Sequence, residues 1–540
     1  DQLIGYWPDG NTTQLKNVSV DQELSIDYGE AMAATISELS IKPLFKKSAL
    51  VDLVHEENEF DDFAKQVLLP HKMSQFGPAL AVADINNDGL DDFYFGGASG
   101  VSGQLAIQES SGGFNIKSNP SFNKDAISED IDAAFFDFEG DGDQDLYIVS
   151  GGNKWEKDTD AYLDRLYLND GRGFFSRSNQ IDDVFESGSC VRPFDFDGDG
   201  DVDLFIGGRH VPWSYPEPAT SRLLENKNGK FVDVTKSVAK DLIDMGMVTD
   251  ATWADFDGDG ITDLVVVGEW MPITLIRFNG KTFEKTSKKD VIPNSEGWWS
   301  SIAANDIDSD GDIDFVVGNL GLNYKYKSSP KEPFEVFYDD FDGNGNKDIV
   351  LSYYNFGERF PLRGRSCSAQ QIPDLKSTFP SYTEFASANL VDVYGSENLS
   401  PALHYEANTF ASVFIENLGN GRFKMKPLPN EAQLSSINDL VIDDFNDDGH
   451  KDILVAGNLY VSEIETPRND ASVGLLLLGN GKNDFTPDAA RTSGFFIPED
   501  VKKLVKIKTA SGIHVLCGIN DGAVQSFKWI KKDNDQTLKK

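Results

Sequence analysis

Acidic residues recur in this chain at a spacing suited to holding a hard cation. A nine-residue pattern appears seven times, with Asp, Asn or Glu at positions 1, 3, 5 and 9 and Gly at position 6. The copies carry Asp84, Asn86, Asp88 and Asp92; Asp137, Glu139, Asp141 and Asp145; Asp195, Asp197, Asp199 and Asp203; and Asp255, Asp257, Asp259 and Asp263. Three more carry Asp306, Asp308, Asp310 and Asp314; Asp340, Asp342, Asn344 and Asp348; and Asp444, Asn446, Asp448 and Asp452. Alternate side chains of a tight loop turn toward one centre, Gly permits the bend, and the position 7 carbonyl adds an oxygen. Calcium takes six to eight oxygens at about 2.3–2.6 Å. No His or Cys stands at a ligand position, which selects calcium over zinc; His450 sits at position 7, where only its carbonyl is used. The start of the pattern is that of an EF-hand loop, but the closing acid comes at position 9 and a β run follows, such as Leu264-Val-Val-Val267, so an EF-hand is excluded. One Asp-Gly loop is an ordinary turn. Seven in register are a metal signature, and the expectation is up to seven Ca2+ ions.

The composition agrees. The 540 residues hold 89 acidic against 49 basic side chains, a net charge of −40, and the loops place 25 carboxylates at ligand positions. Such a chain repels nucleic acid and anionic lipid. Hydrophobic residues at 39% and 37 Phe supply a core, which excludes a disordered chain. No apolar run is long enough to span a membrane as a helix, so no membrane insertion is expected. Cys190, Cys367 and Cys517 are too few to staple the chain and read as buried thiols. The chain opens on Asp1, which suggests a fragment or processed form whose targeting signal lies elsewhere.

The loops need β-strands to position them. Around each runs the same frame: a strand in, the loop, an apolar strand, then usually a Gly (Gly96, Gly151, Gly207, Gly268, Gly318, Gly457). A polar turn joins two further strands, as in Arg165–Phe175 and Ser221–Phe231. Four short strands per repeat describe a propeller blade. The loop at Asp340 comes too soon after its predecessor for a blade of its own and reads as an extra hairpin within blade five. It is followed by an insertion over 358–404 with a capping box at Ser381 and Glu384 before a helix. The C-terminus supplies three strands (Lys503–Lys508, Ile513–Cys517, Val524–Trp529), and Pro43–Ala49 has the pattern of the missing fourth. The expectation is an all-β, seven-bladed propeller with a small helical insertion; eight blades follow if Asp340 begins one.

These repeats resemble FG-GAP (VCBS) repeats, the calcium-loop blades of integrin α-like propellers and of many bacterial surface proteins. Phe76-Gly77-Pro78-Ala79 before the first loop and the Gly after each exit strand match that pattern. Glu139 and the loop-free last blade depart from it. Residues 6–27 resemble the end of an ASPIC/UnbV domain. The expected organisation is therefore an ASPIC/UnbV-like remnant at 1–28, a linker at 29–42, the propeller at 43–532 and a polar tail at 533–540.

A propeller's second face, opposite the metal loops, is where a ligand is expected. Trp155, Trp213, Trp270, Trp298 and Trp299 fall in its predicted loops, with Arg209, Tyr215, Tyr324, Tyr326, Tyr460 and Arg468. Exposed aromatics there would stack on sugars or anchor peptides, and Arg would pair with carboxylates. No catalytic residue is assigned: the six His form no metal or nucleophile motif, and His210 beside Arg209 is the nearest to a candidate. The function expected is an extracytoplasmic (secreted, periplasmic or cell-surface) calcium-binding recognition or adhesion module for a glycan or extracellular protein. The alternatives are a polysaccharide lyase or hydrolase, marked by an acid–base pair in the central depression, and a scaffold domain whose partners are upstream domains of its own chain.

Overall fold

A computed structural model describes residues 2–6, 11–19, 24–32, 42–286 and 291–531. The chain divides into two compact units, Asp1–Pro43 and Leu44–Lys540. The first holds an antiparallel hairpin, Gln2–Tyr6 against Thr12–Lys16, and a short 3-10 turn at Tyr28–Glu30 capped by Asp27. Of the stretch likened to an ASPIC/UnbV domain, residues 7–10 and 20–23 lie outside the described residues, as do 33–41 of the expected linker and the tail at 533–540.

The second unit is a β-propeller. Seven blades hold four antiparallel strands each, one of them extended by the short strand Gly297–Trp298. Their first strands are Leu80–Ala83, Glu129–Phe136, Ser187–Phe194, Met247–Ala254, Ser301–Asn305, Asp439–Asp443 and Val501–Thr509. Each contacts the next, and Val501–Thr509 returns to Leu80–Ala83, so the ring is closed at seven blades. Phe45–Ser48 pairs with Gln525–Trp529, with Phe45 opposite Trp529 and Ser48 opposite Ser526. The expected N-terminal strand thus completes the last blade, and closure leaves no gap between first and last sheets.

Packing between blades explains the apolar strands. Phe136, Phe138 and Tyr147 of blade two interleave with Val191, Leu204 and Phe231 of blade three, all buried. Sheets covered on both faces need apolar residues at consecutive positions, as in Leu264–Val267. The Gly closing each second strand has a steric cause. A Cβ on Gly318 would stand 2.2 Å from the Ile437 carbonyl oxygen, and one on Gly457 would stand 2.0 Å from that of Ser436.

Blade five departs from the regular plan. Between its second strand, Asp314–Gly318, and its third, Val413–Asn417, the chain makes a long excursion. The loop at Asp340 does not begin an eighth blade, because its sheet has no place in the ring. The expected hairpin is larger than the sequence suggested: Glu358–Pro361 and Leu403–Ala407 flank Phe334–Asp339 and Asp348–Asn355 to make a separate four-stranded sheet. Five short helices lie between the two outer strands, among them Tyr382–Ser387 with the Ser381/Glu384 capping box.

Candidate metal loops and the axial cavity

All seven acidic loops fold alike. The Asp at position 1 accepts the amide of the Gly at position 6 through Oδ2, at 2.8 Å for Asp84 and Gly89 and at 3.2 Å for Asp306 and Gly311. Each of these Gly residues has φ between 84° and 99°, the left-handed region that a Cβ disfavours. In the loops at Asp195, Asp255 and Asp306 the carboxylates of positions 1, 3 and 5 can bring oxygens within 4.8 Å of one another; in the loop at Asp340 positions 1, 3 and 9 do so. Among the described residues, the loop with Glu139 is the one with acid at all three leading positions that lacks this convergence, as its longer side chain leads one to expect.

Position 9 has two tasks. Asp92, Asp145, Asp203, Asp314 and Asp452 accept a loop amide with Oδ2 and an amide of the third strand with Oδ1, so each ties its loop to its blade. Asp263 is different. Its Oδ1 accepts the Phe278 amide at 2.7 Å, but its Oδ2 is buried without a partner. Burial, and after it the neighbouring loop carboxylates, push Asp263, Asp203 and Asp314 up to about 7. The loops therefore hold more negative charge than the protein compensates, on oxygen donors only, and that donor set fits calcium. The fourth loop carries a cation of its own: Arg277 places Nε 2.7 Å from Asp257 Oδ2 and Nη2 2.5 Å from Asp259 Oδ2.

The second face departs from expectation. Trp270, Trp298, Tyr215, Tyr324 and Tyr326 are not exposed platforms; they are buried in one cluster with Leu68, Leu69 and Met73 from one side and Phe334, Val336 and Leu351 from the other. Trp299 is buried in the core between blades four and five. The reason is coverage by two distant stretches. The inserted sheet packs on blade four through Leu403–Ala407. Residues 54–76 cross the face, bridging Val54 to Ala523, Asp62 to Asn153, Gln66 to Tyr215 and Lys72 to Val461. Trp155 remains 37% exposed. Trp213 lies half-buried with the Lys65 ammonium 3.8 Å above its ring, and Tyr460 half-buried beneath the Arg468 guanidinium at 3.9 Å. Cys190 and Cys517 are buried as expected, whereas Cys367 is only half-buried, with its Sγ on Glu465.

Arg209 is also buried. It pairs with Glu269, which accepts the Tyr215 hydroxyl at 2.5 Å and lies 3.4 Å from His71 Nε2. Burial alone would raise the Glu269 carboxyl, but Arg209 and His71 hold it well below the usual carboxylate range. His210 is fully enclosed, and burial, aided by Arg209, pushes it down to about 3.

His71, Arg209 and Glu269 border a cavity of about 150 Å³ on the propeller axis. Its wall is made by a device that sequence reading missed. Four first strands slip register at equivalent places, skipping Ile131, Ser189, Thr249 and Lys502, and Arg209 is skipped on the second strand of blade three. A β-bulge re-aims the extra side chain, and all five line the cavity. Only strand pairing reveals a bulge, so no single-strand pattern could have announced it.

Segments 137–206, 195–266 and 255–317 match the FG-GAP-like repeat family. No curated protein matches the chain. Several solved structures are similar at low identity. An Agrocybe aegerita lectin that recognises non-reducing terminal N-acetylglucosamine is 16% identical, over 76% of this chain and 93% of its own, with a TM-score of 0.32. The V. cholerae biofilm matrix protein Bap1 is 10% identical over 90% of this chain and 91% of its own, with a TM-score of 0.33. Saccharomyces cerevisiae Sqt1 is 10% identical over 86% and 97%, with a TM-score of 0.38.

Proposed function

We propose that this chain is a calcium-stiffened, non-catalytic recognition propeller that works outside the cytoplasm and presents a glycan- or protein-binding surface. The observation that carries the reading is the convergence of carboxylates in four of the loops, together with Asp263 Oδ2, buried and unpartnered in the loop at Asp255. In each loop, positions 1, 3, 5 and 9 and the position 7 carbonyl would hold the ion. Calcium there would neutralise the cluster and lock strand one to strand two, blade by blade. Turn-borne sites of this kind typically bind with Kd of order 10⁻⁴–10⁻³ M, so they fill where calcium is plentiful, which supports an extracytoplasmic location.

The test is binding of the purified protein to glycan and matrix-protein arrays, in millimolar calcium and after chelation. Calcium-dependent binding to one ligand class supports recognition. Silence in both conditions turns the reading toward a scaffold whose partner is another part of its own protein.

A second reading, an enzyme on polysaccharide, draws on the His71–Glu269 pair in the axial cavity. Arg209 and Tyr215 already occupy that carboxylate and hold it ionised, which removes it from acid catalysis. Release of unsaturated or reducing ends from a polysaccharide panel, lost in Glu269→Gln, would favour the enzyme.

A further inference from the structure

The axial cavity gathers basic side chains in an acidic molecule. The chain carries −40 overall, yet the cavity wall presents Arg209, Lys502 and Lys503, with Glu269 on the wall and the other two carboxylate partners set behind it. Arg209 is held by Glu269, and each ammonium has one carboxylate partner. Lys502 Nζ meets Asp500 at 2.9 Å and Lys503 Nζ meets Asp132 at 2.8 Å. An ammonium has three donors, so each keeps N–H groups for another acceptor. Consecutive residues of a regular strand point to opposite faces. Here the bulge at Lys502 turns both lysines to the same lumen.

The rest of the wall supplies the remaining chemistry of a site. Trp298 forms an aromatic side, and its Nε1–H is buried without an acceptor. Ser189 and Thr249 donate their hydroxyl protons to the carbonyls of Gly207 and Trp299, which leaves their oxygens as acceptors. The volume, about 150 Å³, equals roughly five waters' share of liquid, enough for one small ring.

We propose that the axial cavity binds a small organic anion, a single carboxylate-bearing sugar ring of the uronic acid class, with Lys502 and Lys503 on the carboxylate and Trp298 against the ring. This names the ligand chemistry of the recognition reading and rests on it, but the site needs no calcium. Calcium-dependent array binding that ignores uronic acids would leave recognition standing and remove this site.

The experiment is calorimetric titration of the full chain with D-glucuronate, D-glucose and inorganic phosphate, followed in parallel by tryptophan fluorescence. Glucuronate is expected to bind at least about tenfold more tightly than either control and to change the fluorescence. Lys502→Met combined with Asp500→Asn removes both members of the pair, which limits damage to the fold. It should weaken glucuronate binding by about tenfold or more while the melting temperature stays near that of the wild type. Equal binding of glucose, or phosphate binding as well as glucuronate, overturns the proposal. So does silence toward glucuronate at millimolar concentration, or a folded double variant that binds unchanged. The wild-type titration decides the matter even where the variant does not fold.

Discussion

The two faces of the propeller are built on opposite principles. On the loop face, each ligand set is complete within nine consecutive residues, and a single glycine conformation at position 6 sets its shape. On the second face, the groups that meet lie far apart in the chain: Leu69, Tyr215, Trp298 and Phe334 share one core, and His71, Arg209 and Glu269 share one ion cluster. The loop face leaves most of its carboxylates at positions 1, 3 and 5 exposed or half-exposed. The other face covers its aromatics and satisfies most of its charge internally. One fold thus carries a surface built of local acidic turns and a surface built by packing between distant segments.

Removal of calcium should break this contrast most forcefully. A site filled to tenfold over its Kd adds about 1.4 kcal/mol, so seven of them dominate the melting of the ring. Excess chelator is expected to lower the calorimetric melting temperature by roughly 10 °C or more. A melt unchanged by chelator would show that the acidic loops are plain turns.

Trp298→Ala should do the reverse. Truncation of an aromatic buried among Trp270, Tyr326, Phe334 and Phe410 is expected to cost about 3–5 kcal/mol. Calcium stoichiometry should not change, which denaturant melts and equilibrium dialysis would check together. Loss of calcium along with stability would mean that the two faces are coupled.

The dependence on pH sharpens the comparison further. Asp203, Asp263 and Asp314 have folded values raised from 3.8 to about 7 without calcium. A raised acid binds more protons folded than unfolded, so its stability contribution falls as pH rises between those two values. Chelated protein should therefore be most stable near the acid end of that window and lose stability toward neutrality. Calcium-loaded protein should lack this loss, because the ion favours the ionised carboxylates. Melting curves across that range, with and without calcium, measure the difference; matching slopes would contradict it.

The smallest effect concerns one loop. Arg277 is half-exposed and pairs with Asp257 and Asp259, and an ion pair so open to solvent contributes little. Arg277→Gln is expected to tighten one calcium site by a few-fold, read as one more tightly bound equivalent in a calcium titration. An unchanged titration would show that the guanidinium leaves the loop when calcium arrives.

What could be read from residue order follows this same division. The strand–loop–strand frame, the seven-blade ring closed by Phe45–Ser48, and the Gly at the end of each second strand were all legible, because a repeat announces its unit by self-similarity. The inserted sheet was legible only as its central hairpin. Its outer strands, Glu358–Pro361 and Leu403–Ala407, are more than forty residues apart and bracket the helical stretch. Of the tryptophans expected in loops of the second face, Trp155, Trp213 and Trp299 lie outside strands, whereas Trp270 lies in the strand Asp263–Met271 and Trp298 in the strand Gly297–Trp298. Their environment was also missed, since nothing near Trp270 or Trp298 in the chain foretells Leu68, Met73 or Phe334 packed against them.

Sequence alone therefore determined the composition of the cation loops and the kind of fold that repeats them, since a turn's chemistry and a strand's pattern act between near neighbours. Tertiary structure alone decided which aromatics are covered, where Lys502 and Arg209 point, and that an acidic protein keeps basic groups on its axis. Those outcomes depend on strand register and on contacts between distant segments, which exist only once the ring has closed.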